Sequence, residues 1–354
     1  MNNVHVILPT GVHDISQPSG GNAYDRRVCM GLARLGFSIW ERMVPGGWPE
    51  PDPSALASLD DVLSTLPDKS LVLIDGLIAS AAASVLVPAA QRLRIIVIMH
   101  MPLGGLPGEH VDDVRAQENA VLAAVSTVIT TSNWTRDWLM TEYRLPARQV
   151  YVVEPGVDLA DTATGTDDGG SLLCVAAVTP GKGHSDLIAG LAMIPELPWR
   201  LSIVGSLDRS PVNVEMLRRQ IVDSELEDRI TLHGSRTGPA LHHHYQHADL
   251  FVLASHCETY GMVITEALAH ELPVLATEVG GIPDALGRAL DGARPGLLVP
   301  PHDPPALAHA ISTWLTEPAV RRELRAAAGR RRANLVGWSD TTRRFAKVLE
   351  KAAA

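Results

Sequence analysis

Residues 250–277 read LFVLASHCETYGMVITEALAHELPVLAT. The stretch opens on an apolar run, Leu250–Ala254, and passes through a polar loop. Gly261–Ala269 then carries apolar residues at helical spacing, and Val274–Ala276 is a second apolar run. Both runs are continuous and not alternating, which is the pattern of a parallel strand covered on both faces. Strand, helix and strand in so short a span make a βαβ unit.

The same alternation extends in both directions. Upstream, Leu172–Val178, Leu201–Val204 and Ile230–Leu232 read as strands, separated by helical segments Ser185–Ala192, Val214–Asp223 and Leu241–Tyr245; downstream, Ala306–Leu315 reads as a helix. Nearer the N-terminus, Val4–Leu8, Leu71–Ile74, Ile95–Met99 and Thr127–Thr130 read as strands, and Ala23–Leu35 as a helix ending at Gly36. Between the two series lies DTATGTDDGGS, Asp161–Ser171, which is polar, Gly-rich and aperiodic, as expected of a boundary. The expectation is an α/β chain of two doubly wound, Rossmann-like domains facing an interdomain cleft, residues 1–165 and 166–335. Ligands of such sheets bind beyond the carboxyl ends of the strands, and a cleft between two of them suits a small molecule.

Composition narrows the function. Thirty Lys and Arg against forty Asp and Glu leave a net charge of −10, which argues against a general nucleic-acid binder. Aromatics, at 4%, are too few for a base-stacking surface. Cys29, Cys174 and Cys257 are widely spaced, odd in number and without C-x-x-C, so neither a disulfide framework nor a zinc site is expected. The first Arg or Lys is Arg26, so the start lacks the charged region of a signal peptide. Residues 76–92 are too short and too weakly apolar to span a bilayer. A cytoplasmic protein without a transmembrane segment is expected.

Three segments carry chemistry. PSGGNAY, Pro18–Tyr24, sits between the first strand and first helix. Gly20 and Gly21 would let backbone amides approach an anion at a helix N-terminus; an ordinary Gly turn is the plainer reading. In TPGKGH, Thr179–His184, Lys182 is one of only four lysines and is flanked by glycines at a strand's carboxyl end. It is placed either to neutralise a diphosphate or simply as a solvated loop lysine. The spacing is not that of a Walker loop. The third segment is the opening one, extended to Asp284. Glu258 stands at the lip of the loop and Glu266 eight positions later on the helix, with the amides of Gly261, Met262 and Val263 between them. Carboxylates accept from sugar and ribose hydroxyls, and amides at a helix N-terminus donate to phosphate. That order of contacts matches a nucleotide-sugar.

The Glu-x7-Glu pair within ETYGMVITE, with ELPVLATEVGGIPD after it, resembles the signature of the family-four retaining glycosyltransferases. The resemblance covers nearly the whole chain. It includes PSGGN, VIMH ending at His100, VITTSNW (Val128–Trp134), VVEPGVD (Val152–Asp158), TPGKGH and GLLVPPHDPPAL. It implies the GT-B fold, with a C-terminal helix, 336–354, packing back on the N-terminal domain. It implies that Gly20 and Gly21 offer amides to the donor diphosphate, His100 contacts the transferred sugar and Lys182 neutralises the leaving group. Glu258 would hold the sugar's 3- and 4-hydroxyls, Tyr260, Gly261, Met262 and Val263 would approach sugar and phosphate, and Glu266 would bind the ribose. The backbone near His233 and Gly234 would lie by the base. Where the family usually has an arginine five residues before the loop lysine, this chain has Ala177. Arg209 and Arg236 are the candidates to replace it, Arg209 being favoured for its place after a strand.

The implied reaction is retaining transfer from a nucleoside-diphosphate sugar, by default a UDP-hexose, to a small soluble hydroxyl acceptor. It needs no cofactor and no metal, because cationic side chains and helix ends supply the neutralising charge. Asp-x-Asp is absent where it would matter, and His242–His244 with His247 read as an amphipathic helix and not as ligands. The basic run Arg321–Arg332 reads as a solvated helix face. The rival readings are a catalytically weak nucleotide-sugar binder, favoured by Ala177, and a transferase acting on a lipid or polysaccharide precursor. An epimerase is disfavoured by the intact Glu pair, and a phosphorylase by the lack of a pyridoxal-lysine context.

Overall fold

The computed structural model describes residues 3–12, 14, 18–106 and 110–353. The chain divides into two compact units, the first formed by 1–14, 19–156 and 338–354, the second by 15–18 and 157–337. Each unit is built on one six-stranded, all-parallel sheet.

In the first unit the strands are β1 (Asn3–Pro9), β2 (Ser38–Val44), β3 (Leu71–Asp75), β4 (Arg94–Met99), β5 (Thr127–Thr130) and β6 (Val150–Val152), in the order β2-β1-β3-β4-β5-β6. The continuous apolar runs have a direct structural meaning here. Val72 and Ile74 pack into one core while Leu71 and Leu73 pack into the other; Val97 and Met99 split from Ile96 and Ile98 in the same way. Successive side chains of a strand leave opposite faces, so a strand with helices on both sides must be apolar at every position. The C-terminal helix Trp338–Ala353 belongs to this unit. Phe345 and Leu349 are fully buried in its core.

The second unit has β7 (Ser171–Val175), β8 (Arg200–Val204), β9 (Ile230–Leu232), β10 (Leu250–Leu253), β11 (Val274–Thr277) and β12 (Gly296–Val299), in the order β12-β11-β10-β7-β8-β9. Leu250 and Val252 face one core, Phe251 and Leu253 the other. The chain order reverses between β10 and β7, which places the topological switch point of the sheet between those strands. The decisive stretch of sequence runs out of one of them.

Three strands escape the sequence pattern. β2 lies at a sheet edge, and its residues SIWERMV are mostly exposed, so it lacks a continuous apolar run. β6 and β12 are short, and β12 opens on Gly296. The polar stretch 161–171 is not a free linker. Thr164 N–H donates to the Gln246 carbonyl at 2.8 Å, and Thr166 N–H and Ser171 N–H donate to Asp249 at 2.8 and 2.9 Å. The units accordingly divide at Gly156, ahead of the boundary expected at 165. The basic run is also more than a solvated face. On the helix Pro318–Arg332, Arg321 donates to the carbonyls of Trp314 and Leu315, Arg331 to that of Leu286, and Arg332 to those of Ala269 and Ala160, while Arg325 pairs with buried Asp249 at 2.6 Å. The guanidinium fork lets these arginines donate to several backbone carbonyls at element ends. Among the described residues no helix is long and apolar enough to cross a membrane.

Candidate active site

The second unit gathers its polar groups at the switch point. Lys182 lies in a one-turn 3-10 helix, Pro180–Lys182, that follows β7. Gly183 ends that turn at φ 63°, with the Ala254 carbonyl so close that a Cβ would stand 1.9 Å from its oxygen. Only glycine permits that conformation and that approach together. The approach draws the loop after β7 against the end of β10. Lys182 Nζ donates to Glu258 Oε1 at 2.5 Å, and Ser255 Oγ donates to the same oxygen at 3.0 Å. The two charged side chains, 76 positions apart, are 31% and 14% exposed, so the pair is partly withdrawn from water yet open to a ligand.

Three residues on, Gly261 adopts φ 90° and caps the helix Met262–Ala269 with no side chain of its own. The amides of its first turn therefore open the helix without a capping oxygen, where negative charge is stabilised. Glu266 lies on this helix and accepts from the Tyr245 hydroxyl at 2.9 Å. Burial raises its carboxyl above the ordinary value, and the Tyr245 bond works the other way. His184, buried behind the lysine loop, is pushed down to about 4 by burial and by Lys182, and so stays neutral.

The first unit carries a second polar cluster at the ends of its strands. His100 follows β4, with Nε2 2.9 Å from Asp25 Oδ1 and 3.9 Å from Asp75 Oδ2. Asp75 ends β3, and its other oxygen accepts from Leu77 N–H at 2.7 Å. Burial opposes a charged imidazole, but the charge and hydrogen bond of Asp25, with the charge of Asp75, outweigh it and push His100 up to about 9. Burial and the charge of Asp25 raise Asp75 to about 7. Behind the cluster, buried Glu118 accepts from Ser80 Oγ and Tyr143 Oη at 2.5 Å each, and from the amides of Leu103 and Gly104, which fixes the turn that follows His100.

Two family profiles match the chain, one described as glycosyl transferases group 1 over residues 164–331, the other as glycosyltransferase family 4 over residues 20–161. The chain belongs to the family-four glycosyltransferases. A D-inositol 3-phosphate glycosyltransferase of Kineococcus radiotolerans is 31% identical over 66% of this chain and 59% of its own length. Another, from Catenulispora acidiphila, is 29% identical over 75% of this chain and 67% of its own. The chain thus matches little more than half to two thirds of these relatives' length. Among solved structures, sucrose-phosphate synthase from Thermosynechococcus elongatus is similar in fold, with a TM-score of 0.79 at 21% identity over 99% of each chain. Anabaena HepE in complex with UDP and glucose has a TM-score of 0.77 at 18% identity, over 98% of this chain and 99% of that one.

Within this glycosyltransferase frame the expected residues fall as follows. Lys182, Glu258, Gly261, Met262, Val263 and Glu266 all lie in the second unit, with Lys182 and Glu258 in direct contact. The Tyr260 side chain is 7% exposed and packs into the core, at the start of the turn that leads to Gly261. Gly20 and Gly21 do not form a loop. They are the first two residues of the helix Gly20–Arg34, capped by Ser19, whose Oγ accepts from Asn22 N–H at 3.1 Å. Close packing explains Gly21: a Cβ there would stand 3.2 Å from the His100 ring. Arg209 donates to the Pro18 carbonyl at 3.1 Å, and exposed Arg236 to its neighbour Ser235. His243 and His247 lie ring to ring at 4.1 Å, and His247 Nδ1 is 2.8 Å from the His243 carbonyl.

Asp25, Asp75, Ser255 and Tyr245 escaped the sequence reading. Asp75 left one trace, an acidic residue closing the apolar run LVLID. The others sit in segments whose periodicity announces only a helix or a strand end.

Proposed function

We propose that this glycosyltransferase moves a hexosyl group from a UDP-sugar to a hydroxyl of a small polar acceptor, with retention at the anomeric carbon. The donor is assigned to the second unit and the acceptor to the first. The observation that carries the reading is the Lys182–Glu258 pair. An ammonium and a carboxylate stand 2.5 Å apart on the loops after β7 and β10, the two strands that flank the switch point. The complex of HepE with UDP and glucose and the names of the inositol phosphate relatives support the choice of ligands.

On this reading the pair opens when the donor binds. Lys182 moves onto the diphosphate, and Glu258 accepts from sugar hydroxyls. Glu266, held by Tyr245, accepts from the ribose. The first-turn amides after Gly261 face phosphate oxygens. The bond between C1 and the β-phosphate oxygen breaks, and a bond from C1 to the acceptor oxygen forms on the same face. The acceptor's proton passes to the departing phosphate, and UDP leaves. Negative charge grows on the leaving group, where Lys182 and the helix end meet it. These groups neutralise the diphosphate without a metal ion. On the same reading the reaction is cytoplasmic and the acceptor soluble, which the net charge of −10 favours over a lipid surface.

A second reading, a nucleotide-sugar binder with weak turnover, is favoured by Ala177, which leaves Lys182 without the family's neighbouring guanidinium. One experiment separates them. Thermal shift over UDP-, GDP- and ADP-sugars identifies the donor, because a ligand of the native state stabilises it by mass action. Turnover is then followed with inositols, inositol phosphates and aminocyclitols, and the product anomer is read by NMR. Lys182→Ala and Glu258→Ala are expected to cut transfer by at least about a hundredfold, the scale of one lost electrostatic contact to a transition state. Undiminished transfer in either variant overturns the assignment, and donor binding without turnover on any acceptor selects the weak binder.

A further inference from the structure

Asp186, His256 and His302 come from three separate stretches and meet on one face of the second unit. Asp186 is in the first turn of the helix His184–Ala192, His256 is in the loop after β10, and His302 follows β12. His256 Nε2 lies 2.8 Å from Asp186 Oδ2, and His302 Nδ1 lies 3.7 Å from the same oxygen. The two imidazoles are side by side, with centroids 3.8 Å apart and planes tilted by 37°. The three potential ligand atoms all fall within 4.8 Å of one another.

Hydrogen bonding accounts for only half of this arrangement. His256 and Asp186 form one good bond. At 3.7 Å, His302 is beyond hydrogen-bond range, yet its ring is turned to the same oxygen. A tetrahedral zinc ion, with bonds of about 2.0–2.2 Å, holds its donor atoms about 3.3 Å apart. The two observed separations, 2.8 and 3.7 Å, bracket that spacing. Neutral imidazole and carboxylate suit zinc among the common divalent ions. Asp186 and His256 are about one-quarter exposed and His302 is 66% exposed, so a water can complete the shell.

We propose that Asp186, His256 and His302 form a zinc-binding site on the second unit, with water as the fourth ligand. Its role is structural. The backbone N–H of His256 donates to the Gly181 carbonyl at 2.9 Å, and a Cβ on Gly183 would stand 3.1 Å from the His256 ring. An ion on this ring therefore ties the loop that carries Lys182 to the loop that carries Glu258 and to the segment after β12. It touches neither of those charged groups, so it is separate from the transfer chemistry and does not depend on that reading. The three ligands are separated by 70 and 46 positions, which no local motif reveals.

The test uses the full chain stripped with a chelator and titrated with Zn²⁺ against a chromophoric competitor. His302→Gly removes a ligand at a position of φ 56°, which glycine adopts without strain, so the fold is preserved; His302→Asn provides a second such variant. A double His243→Ala, His247→Ala variant removes the helical histidine pair instead. The wild type and the double variant are expected to bind one equivalent. His302→Gly and His302→Asn are expected to bind at least about tenfold more weakly, since disturbing even an outer partner of a metal ligand has that effect. A four-coordinate Co²⁺ spectrum should follow the same pattern. Absence of stoichiometric binding in the wild type overturns the proposal. So does binding that survives in both His302 variants and disappears in the double variant.

Discussion

At the scale of single residues, the first unit is governed by the cluster around His100. Its imidazole gains more from Asp25 and Asp75 than it loses to burial, and it is pushed up to about 9 from an ordinary 6.5. A raised pKa means that the folded state holds the proton more tightly than the unfolded chain does. The resulting stability is therefore complete below about 6.5 and is lost as pH climbs through about 9. Asp75, raised to about 7, acts in the same sense at lower pH: ionising it from 3.8 upward penalises the fold. Replacing Asp25 by Asn removes the largest upward influence and leaves burial in charge. The His100 resonance in an NMR titration is expected to fall from about 9 to 6.5 or below. Wild-type stability, measured by urea unfolding, should decline more steeply than the variant's between pH 6.5 and 9. An unchanged His100 midpoint would show that Asp25 does not hold the proton.

At the scale of elements, strand order decides which loops meet. β7 and β10 are neighbours in the sheet, so the loops leaving their carboxyl ends must be neighbours as well. Gly183 makes the approach close enough for Lys182 to reach Glu258. A Gly183→Ala substitution adds a Cβ at φ 63° and 1.9 Å from a carbonyl oxygen. The positive φ alone costs about 1–2 kcal/mol, and the contact forces the loop to move. On the proposed donor assignment, UDP affinity by calorimetry is expected to fall at least about tenfold, the equivalent of about 1.4 kcal/mol. Retained affinity would mean that the lysine loop does not hold the diphosphate. The motifs around these loops were legible in the sequence because each is contiguous: a strand end, a glycine, a charged residue and a helix start. Asp25, Asp75 and Tyr245 were not, because their partners are brought to them by strand order. The basic helix taught the same lesson, since Arg325 reads as surface until Asp249, 76 positions away, is seen beneath it.

Across the whole molecule, the chain crosses from the first unit to the second at Gly156 and returns at Trp338. The returning helix is amphipathic, and its apolar face completes a core that β1 and the helix Gly20–Arg34 leave open. Phe345 is fully buried there, with its ring centroid 6.4 Å from that of Tyr24, and Thr342 packs so closely on Gly31 that a Cβ would collide with it. The first unit is thus assembled from both ends of the chain. Phe345→Ala is expected to lower unfolding stability by about 3–5 kcal/mol, as for other large buried aromatics, which chemical denaturation will show. A loss below about 1 kcal/mol would indicate that the helix is an appendage and not part of the core.

Hydrophobic periodicity is local, so the residues alone determined the alternation of strands and helices, the two-domain α/β architecture and the order of the family motifs. Strand order, in contrast, is a choice among long-range pairings. It decided that Lys182 meets Glu258, that two aspartates flank His100, and that one aspartate and two histidines converge on the second unit. Those contacts join side chains tens of positions apart, and nothing in their own neighbourhoods records which partner the folded sheet will bring.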